Sequence, residues 1–317
     1  MNRATQLHSI FWPVSGGMDG LVVPIFLLLA ALSIGCAAPV VPAANVIAEV
    51  DTRECSSGSL ESLGPLDVAL VIDTSQSTRR PSGYDIDQDG RIYTFDRSHA
   101  VDHGDSWLAV QIAAARALVR SAAGHDIRFS IVTFAGSTIP RTVGGSQLIG
   151  SVRDSKLRAR LTNDTQELDS VLRKVLANGS NGKTVFSAGM QRATRSLTAY
   201  REEGRRQVVL MMSDSPVPNS VDTAGDIKEL DPRMKNAAVL ARRNGVVIHT
   251  FGLSKKSGEW RGKAFGQIPG ATGGTFHPIE DPRQLYCHMV SALPPSYRQE
   301  QRGWQDAFAR YRKKQAR

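Results

Sequence analysis

The sequence predicts an α/β fold, a doubly wound and mostly parallel sheet with helices on both faces, preceded by an N-terminal membrane or signal segment. Three observations carry that expectation. From Leu66 onward, short β-branched runs alternate with amphipathic stretches, the rhythm of βαβ units. Runs such as DVALVID and RQVVLMMSD are apolar on both faces, as strands covered by helices on both sides must be. Helix punctuation falls where that rhythm needs it, with Asp105-Ser106, Asp231-Pro232 and Asp281-Pro282 ahead of three helices and Asn244-Gly245 behind one.

Residues 1–38 form the first element. No charge stands between Asp19 and Glu49, and within that gap Leu21–Ala38 is leucine-rich and lacks the polar face that a helix of a globular domain shows. It reads as a signal peptide or a membrane anchor, although Arg3 alone supplies positive charge ahead of it. Its end, Leu32-Ser33-Ile34-Gly35-Cys36, resembles the lipobox of bacterial lipoproteins, in which a small residue precedes a cysteine that is lipidated after cleavage. Gly35 and Cys36 fit, whereas the leucine expected three residues before the cysteine is displaced by one. Two readings stand: Cys36 is lipidated, or it is a small apolar residue in an uncleaved membrane helix. Both place the remainder in the cell envelope, outside the cytoplasm, with the Ala-, Pro- and Ser-rich stretch 39–63 as linker. Cys55 and Cys287 then remain, either a disulfide joining the start of the folded domain to its end or two buried thiols.

The folded domain is expected over 64–295. Strands are predicted at 66–72, 127–134, 207–212, 246–251 and 275–279, and helices at 105–122, 166–177, 186–200, 232–244 and 281–293. At the end of the first strand stands Asp73-Thr74-Ser75-Gln76-Ser77. Ligands of open α/β sheets bind at that edge, and one carboxylate with two hydroxyls at alternate positions of a tight loop offers a hard divalent cation several oxygens at once. A second carboxylate, Asp214, follows the strand VVLMM, and Thr184 lies in the loop before the helix that opens at Phe186.

Together, and in this chain order, these residues resemble the metal-ion-dependent adhesion site of the von Willebrand factor type A domain. Arg128–Ala135, Val246–Gly252 and Ala271–Gly274 also look like that family, so the resemblance covers about Leu66–Leu293. It implies that Ser75, Ser77 and Thr184 offer hydroxyls to Mg²⁺ (or Mn²⁺ or Ca²⁺), and that Asp73 and Asp214 bind the ion directly or through water. It further implies an open coordination position for a carboxylate from a protein partner. Three neutral hydroxyls and two carboxylates leave the cation electron-poor, which favours that capture.

The connection after this loop, 79–104, is longer than the family's usual one. Within it Asp85, Asp87, Asp89, Gly90, Arg91 and Asp96 follow the calcium-loop pattern D-x-D-x-D-G-x₅-E, with Arg91 offering its carbonyl and Asp96 in place of the closing glutamate. The sequence therefore predicts a second ion, Ca²⁺, against the alternative of an acidic solvated turn. No helix precedes this loop as it would in an EF-hand, because Arg80-Pro81-Ser82-Gly83 reads as a turn.

Other signals point elsewhere. Ala177–Thr184 (ANGSNGKT) differs from a phosphate-binding P-loop by its first residue, but a P-loop follows a strand and the preceding LDSVLRKVL reads as helix. Neither a zinc H-E-x-x-H nor a G-x-S-x-G elbow occurs, so the expectation is a binding protein and not an enzyme. The net charge of +9 is concentrated in the tail 296–317, where Arg298–Arg317 holds seven basic and two acidic residues. Trp304, Phe308 and Tyr311 recur there at helical spacing, an amphipathic basic helix suited to anionic lipid or to packing on the domain. In an exported protein this charge does not imply nucleic acid. The expected function is metal-dependent protein binding on the outer side of a membrane. The alternatives are a metal-dependent hydrolase and a scaffold whose basic tail does the binding.

Overall fold

Alternation along the first strand decides the layers. In β1 (Leu66–Asp73), Val68, Leu70 and Ile72 turn to one face of the sheet while Ala69 and Val71 turn to the other, and all eight residues are buried. This is the double-sided burial that its unbroken apolar run predicts. The computed structural model describes residues 60, 63–92, 104–136, 142–143, 146–147, 154–216 and 232–293.

The remaining strands are β2 (Ile127–Phe134), β3 (Thr142–Val143), β4 (Ser146–Gln147), β5 (Ser155–Thr162), β6 (Arg206–Ser213), β7 (Val246–Leu253) and β8 (Phe276–Ile279). The helices are α1 (Trp107–Ser121), α2 (Thr165–Asn178), α3 (Phe186–Thr198), α4 (Pro232–Arg243), α5 (Ala264–Thr272) and α6 (Leu285–Ala292). Six strands form one sheet in the order β5-β2-β1-β6-β7-β8, parallel throughout except for β5, which runs antiparallel to β2. β3 and β4 pair with each other as a separate ladder. Apolar residues of α1, α2 and α6 pack on one face, and those of α3, α4 and α5 on the other. The predicted doubly wound α/β architecture is thus present.

Ser106 caps α1 by accepting from Ala109 N at 3.2 Å, and Asp164 caps α2 by accepting from Gln166 N and Glu167 N. Besides the two-residue β3 and β4, two elements lack a clear sequence signal. β5 is an edge strand whose Lys156 is exposed and whose Arg158 and Arg160 interrupt any apolar run. α5 contains Pro269 together with Gly266 and Gly270, all of which weaken a helix in isolation. Phe265 and Ile268, both fully buried, hold it against the sheet.

Among the described residues, no helix is long and apolar enough to cross a membrane. Leu21–Ala38, Cys36, the linker, Cys55, Asp96 and the basic tail 296–317 lie outside the described residues. Cys287, on α6, is held in a disulfide, and its expected partner Cys55 is among those not described.

Chain direction positions the site. From β1 the chain passes to β2 and β5 on one side, then returns to β6 on the other. The carboxyl ends of β1 and β6 therefore flank the point where strand order reverses, the place where open α/β sheets leave a crevice.

Candidate metal centre

Asp73 closes β1 and is fully buried. Its Oδ1 accepts from Ser75 N at 2.8 Å and its Oδ2 accepts from Ser213 Oγ at 2.6 Å. Gln111 on α1 clamps the same residue by its backbone, with Asp73 N donating to Oε1 at 2.9 Å and Nε2 donating to the Asp73 carbonyl at 3.1 Å. Neither Gln111 nor Ser213 was expected from the sequence. Gln111 is a lone amide inside the buried helix WLAVQIAAARALVRS, and burial of an amide there signals that it serves a specific partner.

The hydroxyls form a chain. Thr184 Oγ1 donates to Ser75 Oγ at 3.1 Å, Ser75 Oγ lies 3.1 Å from Ser77 Oγ, and Ser77 Oγ donates to Asp214 Oδ1 at 2.7 Å. All five predicted residues, from three separate segments, thus meet at the carboxyl ends of β1 and β6. Asp73, Ser75 and Thr184 are buried, whereas Ser77 and Asp214 are partly exposed and mark the open side.

The loop that delivers Thr184 is tied down on two sides. Asn181 N donates to Thr74 O at 2.8 Å and Gln76 N donates to Gly182 O at 2.9 Å, while Gly136 and Lys183 exchange backbone hydrogen bonds. Gly182 makes the close approach, since its φ is +92° and a Cβ there would stand 2.0 Å from Gly136 O. The P-loop-like stretch follows helix α2 and not a strand, and its threonine belongs to this centre.

Electrostatically, the centre is a pair of carboxylates short of positive charge. Burial, and then the neighbouring Asp214 carboxylate, push Asp73 well above the ordinary carboxylate range. Burial also raises Asp214, opposed by the Ser77 hydrogen bond and the charge of Arg80. Two carboxylates and three hydroxyls converging in this way fit a hard divalent cation, which would replace the protons the pair otherwise favours. A cavity of about 520 Å³ adjoins the loop, lined by Thr74, Lys156, Arg158 and Asn181 among others. In it Arg158 is held by one hydrogen bond to Thr133 Oγ1 at 2.9 Å, and burial lowers its pKa.

In the predicted calcium loop, Asp85 and Asp87 come together, but with Asp105 and not with Asp89. The Asp89 Oδ1 accepts from Arg91 N at 2.7 Å in an exposed turn, and Arg91 is exposed. Gly90, at φ +81°, makes the turn that the pattern requires.

No protein-family profile matches the sequence, and no curated protein aligns with it. Similar solved structures do exist. A mutant of the PilB minor pilin from Streptococcus sanguinis superimposes with a TM-score of 0.50 over 76% of this chain and 63% of that one, at 12% identity. The SpRpn10 VWA domain gives 0.45 over 74% of this chain and 97% of that one, at 16% identity. The pilus adhesin SpaC from Lactobacillus rhamnosus GG gives 0.47 over 73% of this chain and 31% of that one, at 14% identity. This chain spans less than two thirds of the pilin and under a third of SpaC. At such identities the likeness is one of fold.

Proposed function

We propose that this chain is a von Willebrand factor type A protein that captures a carboxylate of a protein partner at a divalent cation, displayed in the cell envelope by its N-terminal segment. The observation that carries the proposal is the unbroken hydroxyl chain Thr184–Ser75–Ser77–Asp214 beside the buried Asp73, sited where the strand order reverses. Bound there, Mg²⁺ (or Mn²⁺ or Ca²⁺) supplies a Lewis-acid position for an incoming carboxylate oxygen. Ser75, Ser77 and Thr184 present neutral oxygens, and Asp73 and Asp214 contribute the only two negative charges of the set. Ser213 and Gln111 hold Asp73 in place from behind. Lys156 and Arg158 outnumber Asp154 among the charged residues lining the adjoining cavity, which favours an acidic partner surface over a basic one. Leu21–Ala38, as signal peptide or anchor, with Cys36 lipidated in the first case, would place this surface outside the membrane.

Mn²⁺ titration of the full chain in an Asp85→Asn background tests the centre. Asp73→Ala and Asp214→Ala are each expected to weaken the ion by about tenfold or more while far-UV circular dichroism stays unchanged. Undiminished affinity in both variants would refute the assignment. For the partner, capture from a cell-envelope extract is expected to disappear in EDTA, and capture that persists in chelator would rule out carboxylate coordination.

A further inference from the structure

The cavity beside the candidate metal centre, of about 520 Å³, is large enough for a small ligand or an acidic side chain. Thr74, which directly follows Asp73, joins it to the centre. It lines the cavity, its N–H donates to Phe134 O at 3.0 Å, and its carbonyl accepts from Asn181 N at 2.8 Å. Two cations, Lys156 and Arg158, stand against one carboxylate, Asp154, in the lining. None of the five residues of the centre lines the cavity, so its chemistry can be altered without touching those residues.

Two observations single out Arg158. The first is its backbone. Ala159 pairs with Ile131 and Leu157 with Val132, so two steps along β5 match one along β2 and Arg158 is the extra residue of a bulge. A bulge on an edge strand re-aims the side chain it carries. The second observation is the state of the guanidinium. Its Nε donates to Thr133 Oγ1, a neutral acceptor, at 2.9 Å, and its Nη groups meet no acceptor among the described residues. Asp154 shares the cavity, yet no ion pair joins it to Arg158. The side chain is half-buried, and burial lowers its pKa. A partly desolvated arginine without an acid gains by taking an anion, and its Nη fork matches the two oxygens of a carboxylate.

We infer that this cavity is an anion subsite in which Arg158, with Lys156 beside it, takes a second carboxylate of the segment captured at the metal. The inference rests on carboxylate capture at the Asp73 centre and deepens it, because it makes the partner an acidic segment recognised through two acidic residues. Asn178 and Asn181 belong to the same lining and offer amide donors to the same group. A bound cation alone would accept any accessible carboxylate. Arg158 is therefore the specificity-determining residue, since it favours partners whose captured carboxylate has an acidic neighbour.

Two capped peptides test the subsite on the full chain in Mn²⁺, a hexaglutamate and its counterpart with a single glutamate among glutamines, with affinities read by calorimetry. Arg158→Gln keeps a donor for Thr133 and should weaken the hexaglutamate by about tenfold. Its affinities for Mn²⁺ and for the single-glutamate peptide should stay at the parent values. Arg243→Gln is the control for general charge, because Arg243 is exposed at the end of α4, next to the amino end of β7 and so at the far end of the sheet. It should leave hexaglutamate binding near that of the parent. Four results would overturn the inference: no hexaglutamate binding by the parent, hexaglutamate affinity unchanged by Arg158→Gln, an equal loss for both peptides in that variant, or an equal loss in Arg243→Gln. EDTA separates this inference from the reading it rests on. Hexaglutamate binding that persists in EDTA and still falls in Arg158→Gln would refute capture at the metal and uphold the anion subsite. Binding of both peptides that vanishes in EDTA but is indifferent to Arg158→Gln would do the reverse.

Discussion

Ser75 is the residue on which the first centre turns. Its hydroxyl meets both Ser77 and Thr184, and its N–H holds Asp73. Ser75→Ala removes one ligand and the link between two others, so calorimetry is expected to show about tenfold weaker divalent binding with little change in thermal stability. Affinity equal to the parent would mean that the hydroxyl is not a ligand. The convergence of these five residues could be read in the sequence because D-x-S-x-S and the aspartate each follow a buried strand and the threonine sits in the loop before a helix, so the sheet's carboxyl edge gathers them. Ser213 and Gln111 escaped because each meets Asp73 only through tertiary proximity, and Asp105 because it joins Asp85 and Asp87 in the same way. Nothing in the spacing between Asp87 and Asp105 signals that they meet; only the fastening of 80–82 and Ile86 to the start of α1 brings them together.

At the scale of elements, the Gly182 turn ties the segments that follow β1 and β2 to the centre. Gly182→Ala must relieve a 2.0 Å approach to Gly136 O and an unfavourable φ of +92°. We expect a loss of about 2 kcal/mol or more in urea unfolding, together with weakened metal binding through displaced Thr184. Wild-type values for both would show that the bridge to Gly136 is dispensable. The strands covered on both faces were readable because double burial removes all polar alternation. The edge strand β5 was not, since one solvated face admits Lys156, Arg158 and Arg160, and α5 was masked by Pro269 and two glycines that burial of Phe265 and Ile268 overrides.

A second coupling links β7, β8 and α6. The Thr275 hydroxyl lies 2.8 Å from His249 Nδ1 and 2.6 Å from His277 Nε2, and His277 also contacts His288 edge-on at 5.8 Å. Burial, then the neighbouring His277, lowers His249 to about 3. Burial, then His288 and Arg261, lowers His277 to about 4, and burial lowers His288 as well. The fold therefore favours the neutral rings. Their contribution is complete above the unfolded value of 6.5 and is lost as pH falls from there toward 4 and 3. Between pH 7 and pH 5, His249 alone should account for about 2 kcal/mol of lost stability. His249→Gln, which retains an acceptor for Thr275 N, should shrink that difference in denaturant titrations, and an unchanged difference would place the acid sensitivity elsewhere.

Across the whole molecule, the two ends of the sheet carry opposite chemistry. At the amino end Asp67, fully buried, accepts from Arg128 Nε and Arg205 Nε, both at 2.9 Å, and these arginines extend to Glu202 and Asp126. Asp67→Ala leaves two guanidinium groups facing a void. Because Arg128 retains 22% side-chain exposure, the expected cost is about 3 kcal/mol, the lower end for a broken buried pair. Metal affinity at the far end should be unaffected, and a calorimetric change there would show that the two ends are not independent.

β1 joins those ends, and its placement has a mechanical consequence. The chain enters at Leu66 and reaches the candidate centre at Asp73, about 23 Å away along a single extended strand. That strand is flanked on both sides by parallel partners, β2 and β6, in unbroken register. Tension between a partner held at Asp73 and whatever precedes Leu66 would run along the axis of β1. It would load both hydrogen-bond ladders in shear, so that they must yield together and cannot open one bond at a time.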